Sequence, residues 1–230
     1  MEFRTKIDIE AARWKIKPQD NLFLVGSCFA DNTTYSPDVA IFTLGTNHVY
    51  ILNETGEIVD NCQKRPQRLF TEKELSVDEC ASYLNKAITM LKERNPQIKV
   101  IITVSPIRYR KYGYHGSQLS KATLLLSIQQ TQAEYFPSYE IMNDELRDYR
   151  FYKEDMLHPT PQAVAYIFDR FCDTYMSKEA STYMAEWKPI REALAHKPFN
   201  PDSPEYQQFR AQTLEKQKAF ESKWSISLGK

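Results

Sequence analysis

Apolar residues along this chain follow two rhythms. Unbroken runs at Leu22 to Val25, Val39 to Leu44 and Ile98 to Val104 alternate with stretches whose apolar positions recur every three or four residues. Short continuous aliphatic runs read as strands buried on both faces, which is the mark of a parallel sheet. Val77, Cys80, Leu84, Ala87, Ile88 and Leu91 lie at helical spacing behind the capping box Ser76-Val77-Asp78-Glu79. They predict a helix over 77–94, stopped by Asn95-Pro96. A further helix is expected over 120–133, a short strand over 135–142 and another helix over 161–176, with Thr160 as N-cap and Pro161 at N1. The turn residues Asn53, Gly56, Asn61 and Pro66 predict a hairpin or irregular excursion over 51–75. Strands and helices alternating in this way imply an α/β domain with helices on the faces of a parallel sheet.

The ends of the chain differ from this pattern. Residues 1–20 are polar and mixed, and read as an arm or edge element. Beyond about 178 the stripe Ala180, Tyr183, Trp187, Ile190 and Leu194 makes one helix, and Ser203-Pro204-Glu205 opens a second, rich in Gln, Lys and Glu. The expected organisation is a domain over 1–178 and a helical C-terminal extension over 179–230. One connection is too short. About eight residues, Asp31 to Asp38, separate the loop after the first strand from the second strand. A parallel crossover takes a dozen or more. Either these two strands are not parallel neighbours, or a segment is lacking near 32–36; the second reading is favoured.

Composition narrows the function. At 230 residues, 42% hydrophobic and 26% charged, the chain has the make-up of an ordinary globular protein. With 30 basic and 30 acidic residues the formal charge is zero, against the basic excess that phosphate neutralisation demands, so no nucleic-acid partner is expected. No apolar leader or long apolar run is present, and the four cysteines show no paired spacing. These features predict a cytoplasmic protein with reduced thiols and no membrane partner. No cofactor or metal is expected, because the four histidines are dispersed. The oligomeric state is left open.

Nucleophilic catalysis needs a hydroxyl or thiol, a base in reach, a group to orient that base, and donors for the oxyanion. Leu22-Phe23-Leu24-Val25-Gly26-Ser27 ends a buried strand in a hydroxyl, where α/β sheets collect their chemistry. In Asp155-Met156-Leu157-His158-Pro159, His158 is a candidate base and Asp155 its orienting carboxylate. The Ser27 N–H and the Asn47 side chain, in the loop Gly45-Thr46-Asn47, are candidate oxyanion donors. Cys28 is a rival nucleophile, better read as a small packing residue. Arg108, Arg110 and Lys111 follow the third long strand, where an acidic substrate group would dock. Each residue alone also has an ordinary structural role: turn, helix boundary or solvated loop.

Together they match a family. Gly26-Ser27-Cys28-Phe29-Ala30, Leu44-Gly45-Thr46, Thr103-Val104-Ser105-Pro106, Leu119-Ser120-Lys121-Ala122-Thr123-Leu124 and Asp144-Glu145-Leu146-Arg147-Asp148-Tyr149 occur in order. In these the sequence resembles the GSCFA-domain proteins of the SGNH (GDSL-like) hydrolase superfamily, over roughly residues 1–178. The resemblance implies a flavodoxin-like three-layer α/β/α sandwich and a serine esterase. It puts the nucleophile on Ser27, the Asp-x-x-His pair on Asp155 and His158, and the Gly-x-Asn-Asp loop on Gly45-Thr46-Asn47, with His48 where the Asp would stand. The superfamily's oxyanion glycine should fall between Ser27 and Gly45, but no glycine lies between Ala30 and Leu44.

The expected function is therefore hydrolysis of an ester, such as an O-acyl group on a saccharide or small metabolite, through Ser27, His158 and Asp155. Gly45, Asn47 and Arg108 would line the oxyanion or substrate site. A non-catalytic binding or scaffold module on the same fold is the alternative from a different class. An acyltransferase using the same serine is a third.

Overall fold

The structure of the chain, a computed structural model, describes residues 5–26, 36–59 and 65–226. It divides into two compact units, one of Met1–Ala11 with Asp20–Thr174, the other of Ala12–Gln19 with Tyr175–Lys230.

The first unit is built on four parallel strands, β1 (Leu22–Val25), β2 (Val39–Leu44), β6 (Lys99–Val104) and β7 (Glu134–Phe136), side by side in that order. Thus β1 and β2 are direct parallel neighbours, Leu22 opposite Val39, which removes the alternative that they are not. Among the described residues β1 is an edge strand.

Side chains alternate along β6, and each face has its own cover. Val100, Ile102 and Val104 point into a core with Cys80 and Ile88 of α1 (Val77–Arg94) and with Leu124 and Ile128 of α2 (Gly113–Gln129). Thr103, on the other face, pairs with Phe136 of β7, whose ring meets Phe171 of α4 (Pro161–Tyr175) edge-on at 5.2 Å. Helices therefore cover both faces of the parallel sheet. Between β2 and α1 the chain makes a second, antiparallel sheet, in which β3 (His48–Leu52) lies between β4 (Ile58–Val59) and β5 (Phe70–Glu74).

Local chemistry sets the boundaries. α1 starts at the predicted capping box, with Ser76 Oγ accepting from the Glu79 N–H and Glu79 accepting from the Ser76 N–H. α4 starts at Pro161, where Thr160 Oγ1 accepts from the Ala163 N–H. Two elements differ from expectation. α2 begins at Gly113, well before 120, because its inward face is made of Ser117, Ser120 and Lys121, which no apolar pattern reveals. The strand expected over 135–142 ends at Phe136, since the Ser138 hydroxyl donates to the Val104 carbonyl and the chain turns into α3 (Ser138–Glu140) and a π-helical turn, Ile141–Leu146. The polar run after it is partly an internal ion-pair system. Buried Glu145 sits 3.0 Å from Arg170 and accepts from the Tyr166 hydroxyl and the Ile7 N–H, while Arg170 donates to the Ile7 carbonyl. The N-terminal arm is thereby pinned to the first unit.

In the second unit Ile16 forms a parallel bridge with Met176, and α5 (Lys178–Leu194) packs on α6 (Pro204–Trp224). Tyr183, Trp187, Phe220 and Trp224 form its aromatic core, with the Trp224 indole N–H on Glu186. Ser203 caps α6 ahead of Pro204, as its sequence predicts. Among the described residues no helix is long and apolar enough to cross a membrane.

Candidate active site

The carboxyl ends of β1, β2 and β6 lie on one edge of the parallel sheet, where ligands collect in this architecture. β1 is followed by Gly26, whose Cα faces β2 so closely that an added Cβ would stand 3.0 Å from Thr43 Cβ. Ser27, with Cys28, lies outside the described residues. The chain thus delivers Ser27 directly after a strand end that only glycine fits without displacing Thr43.

Asp155 and His158 come together as their spacing predicts. His158 Nδ1 lies 2.5 Å from Asp155 Oδ2, and Asp155 Oδ1 accepts from the backbone N–H of Leu157 and of His158, at 2.8 and 3.0 Å. These backbone donors, followed by the imidazole, hold the Asp155 carboxyl at about 2, below its ordinary value near 3.8. An ionised carboxylate only accepts, so Nδ1 carries the proton it shares with Asp155 and Nε2 is left as the basic nitrogen. The imidazole is half exposed, open to a substrate.

The turn holding this pair is fixed from outside. Met156 sits at φ +57, a left-handed conformation that a side chain rarely adopts. The Arg108 backbone N–H donates to the Leu157 carbonyl and Arg108 Nη1 to the Met156 carbonyl, both at 3.1 Å. Arg108 follows β6, so these bonds tie the Asp155–His158 turn to the loop at the carboxyl end of that strand. Its guanidinium is itself held over the rings of Tyr114 and Tyr152, at 4.4 and 5.5 Å. Lys153 N–H to His158 carbonyl and Thr160 N–H to Phe151 carbonyl, both 2.8 Å, close the turn into a clamp.

The other expected site residues are placed differently. Asn47 is 1% exposed, with its amide N–H donating to the Leu75 carbonyl at 2.7 Å and its backbone N–H to Ser120 Oγ at 3.0 Å. This is a brace between β2, β5 and α2, not an amide presented to a substrate. His48, where the resemblance expects an acid, stacks on Tyr112 at 3.6 Å and lies 3.7 Å from Glu72. Gly45 has a packing reason for being glycine, because a Cβ there would run into the Tyr109 hydroxyl.

The sequence pattern does not mark Lys121 as a site residue. It is 2% exposed, and its ammonium donates to the carbonyls of Gly45 at 2.5 Å and Ser105 at 2.7 Å, the residues just beyond the ends of β2 and β6. It also lies 5.2 Å from the Tyr109 ring centre. Burial pulls its pKa down from 10.5 to about 7. Lys121 therefore fastens two strand ends of the site edge together. Its only signal in the sequence is a lysine on an otherwise small-residue helical face.

A cavity of about 270 Å³ adjoins the clamp, with Arg108, Gln118, Asn143, Arg147 and Tyr152 in its wall. Among the described residues no cluster of His, Cys, Asp or Glu is arranged to hold a metal ion. The described thiols, Cys80 and Cys172, are unpaired, and burial raises both, Cys172 to about 11, which keeps them protonated.

The parallel sheet with helices on both faces makes this an α/β protein. The chain belongs to the GSCFA family, whose model matches residues 33–171, and the model for the C-terminal domain of GSCFA domain proteins matches residues 187–228. The first match takes in Gly45, Arg108, Lys121, Asp155 and His158 and begins just after Gly26-Ser27-Cys28-Phe29-Ala30. No curated protein matches the chain.

Proposed function

We propose that the protein is a serine hydrolase of the SGNH type that cleaves O-acyl esters of a saccharide or small metabolite. The observation that carries this reading is the ionised Asp155 carboxylate on His158 Nδ1, in a turn locked to the carboxyl edge of the sheet. The strand order supports it as well. Flavodoxin-like sheets run 2-1-3-4-5, and the order β1-β2-β6-β7 is that order without the strand flanking the first. This is also the strand whose absence the short connection after Ala30 suggests.

In this reading the Ser27 Oγ attacks the ester carbonyl and passes its proton to His158 Nε2. Asp155 holds the ring in the required tautomer and stabilises the imidazolium. His158 then protonates the leaving alkoxide, and a water activated by the same nitrogen releases the acid. The Ser27 N–H is the oxyanion donor assigned here. Asn47 is not used, because its amide is committed to Leu75. A site short of one donor gives up roughly 2.7–4 kcal/mol of transition-state stabilisation, so slow turnover is expected.

A binding module without turnover is the second reading, favoured by that committed Asn47 amide. Turnover of p-nitrophenyl acetate separates them. The hydrolase reading expects hydrolysis above background that is lost in both Ser27→Ala and His158→Ala. Rates equal to wild type in the alanine variants overturn it.

A further inference from the structure

The cavity beside the Asp155–His158 turn has a chemistry of its own. Its charged wall holds the guanidinium groups of Arg108 and Arg147 and the carboxylate of Asp148, a net single positive charge. Arg147 ends the π-helical turn in a left-handed conformation, φ 36 and ψ 35, with its side chain 79% exposed and Asp144 3.6 Å away. Asp144 offers only a loose surface pair, which a ligand carboxylate in bidentate geometry would outcompete. Arg108 uses Nη1 on Met156 and is held by two rings, so the rest of its fork is oriented in advance.

The uncharged groups match polyol hydroxyls. Gln118 Oε1 accepts from the Tyr139 hydroxyl at 2.6 Å, leaving its NH₂ as donor. Asn143 Nδ2 donates to the Tyr139 carbonyl at 2.7 Å, leaving Oδ1 as acceptor. Tyr149, 67% exposed, and Tyr152 supply ring faces to the same cavity. Such faces suit the C–H side of a sugar ring. At about 270 Å³ the space falls just under the ~300–1,000 Å³ of drug-sized sites, room for one small ring.

We infer that this cavity binds an acidic monosaccharide unit, a sugar ring bearing one carboxylate, with Arg108 and Arg147 on the carboxylate and Gln118 and Asn143 on ring hydroxyls. This names the substrate class for the hydrolase reading above, and it rests on that reading only for the fate of the ligand. Arg108 links the two sites, since the same side chain faces the cavity and holds the Met156 carbonyl.

The test is a calorimetric titration of the full chain with methyl glucuronide and with methyl glucoside. The expected result is that wild type binds the glucuronide roughly tenfold more tightly, the worth of one charge-assisted hydrogen bond. Arg147→Gln should cut that preference to about threefold, the part left to Arg108 once an exposed charge pair is lost. Arg147→Lys should keep part of the preference. Equal affinity for the two sugars in wild type, no saturable binding of either, or an undiminished preference in Arg147→Gln would each overturn the inference. Because the readout is binding, intact p-nitrophenyl acetate turnover without sugar preference sinks this proposal alone. Sugar preference without turnover sinks only the hydrolase reading.

Discussion

The Arg108 backbone N–H donates to the Leu157 carbonyl at 3.1 Å, joining the segment after β6 to a turn nearly fifty residues later in the chain. With Nη1 on the neighbouring Met156 carbonyl, this bond makes the strained Asp155–His158 turn part of the sheet edge instead of a loose loop. Arg108→Lys keeps the charge and the backbone bond but loses the planar fork. Amide exchange at Leu157 and His158, whose N–H groups are held by Asp155, should therefore quicken several-fold. Exchange rates unchanged by nuclear magnetic resonance would show that the side chain does not hold the turn.

Asp155 should titrate far below an ordinary carboxylate. A lowered native pKa means that its contribution to stability is complete above the unfolded value near 3.9 and is lost as pH falls towards about 2. Its side-chain carbon resonance should show a midpoint near 2 in wild type. A midpoint near 4 would mean that the backbone donors of Leu157 and His158 are not on it. In Asp155→Asn the ring loses its orienting anion, and kcat/KM should drop by roughly 10²–10⁴, with folding intact by circular dichroism.

Lys121 gives a pH dependence of the same sign in a higher window. Its folded pKa, about 7, lies below the unfolded 10.5, so between these values the unfolded chain binds the extra proton. Stability should then rise with pH through that window, by up to ~1.4 kcal/mol per pH unit. Below about 7 the ammonium is charged in both states and the slope vanishes. Urea midpoints of wild type against Lys121→Met should show this rise in wild type only. Parallel curves for the two proteins would contradict it.

Gly45 and Tyr109 should be coupled. A Cβ on Gly45 would strike the Tyr109 hydroxyl first, while the next atom, Cζ, would be at an ordinary 3.4 Å. Gly45→Ala is expected to cost about 1–3 kcal/mol, as overpacking does. Tyr109→Phe in the same chain should recover much of that loss. Thermal unfolding of the two single variants and the double variant measures the coupling, and additive losses would remove this account of the glycine.

The buried Glu145–Arg170 ion pair should also be costly to break. Glu145 is fully buried at its side chain and faces Arg170 at 3.0 Å. Arg170→Met strands that charge and should cost ~3–5 kcal/mol. The loss should be accompanied by faster proteolysis of the arm that Ile7 anchors. A change under about 1 kcal/mol by denaturant titration would mean that the pair is solvated.

What the sequence made legible follows from locality. α1 was readable to the residue because its cap, its apolar stripe and Asn95-Pro96 all lie within the helix or beside it. The contact between Asp155 and His158 was likewise implied by a three-residue spacing. α2 starts earlier than its apolar pattern indicates because Ser117, Ser120 and Lys121 are buried for their hydrogen bonds, not for apolarity. The strand around Tyr135 is shorter than the sequence indicates because Ser138 satisfies the Val104 carbonyl from a different element, a long-range bond that no window reveals. Asn47 pointed to an oxyanion hole because its motif neighbours did. Only the folded chain shows its amide turned to Leu75. The position of Arg108 after a strand points to a substrate site, but its hold on Met156 depends on two loops meeting in space.

The central claim is that Ser27 is a nucleophile activated by His158, and active-site labelling tests it most directly. A fluorophosphonate probe followed by peptide mass spectrometry should place a single adduct on the peptide containing Ser27. Labelling should vanish in Ser27→Ala and be strongly slowed in His158→Ala. An adduct elsewhere, or labelling of the Ser27→Ala protein at the wild-type rate, would contradict the account.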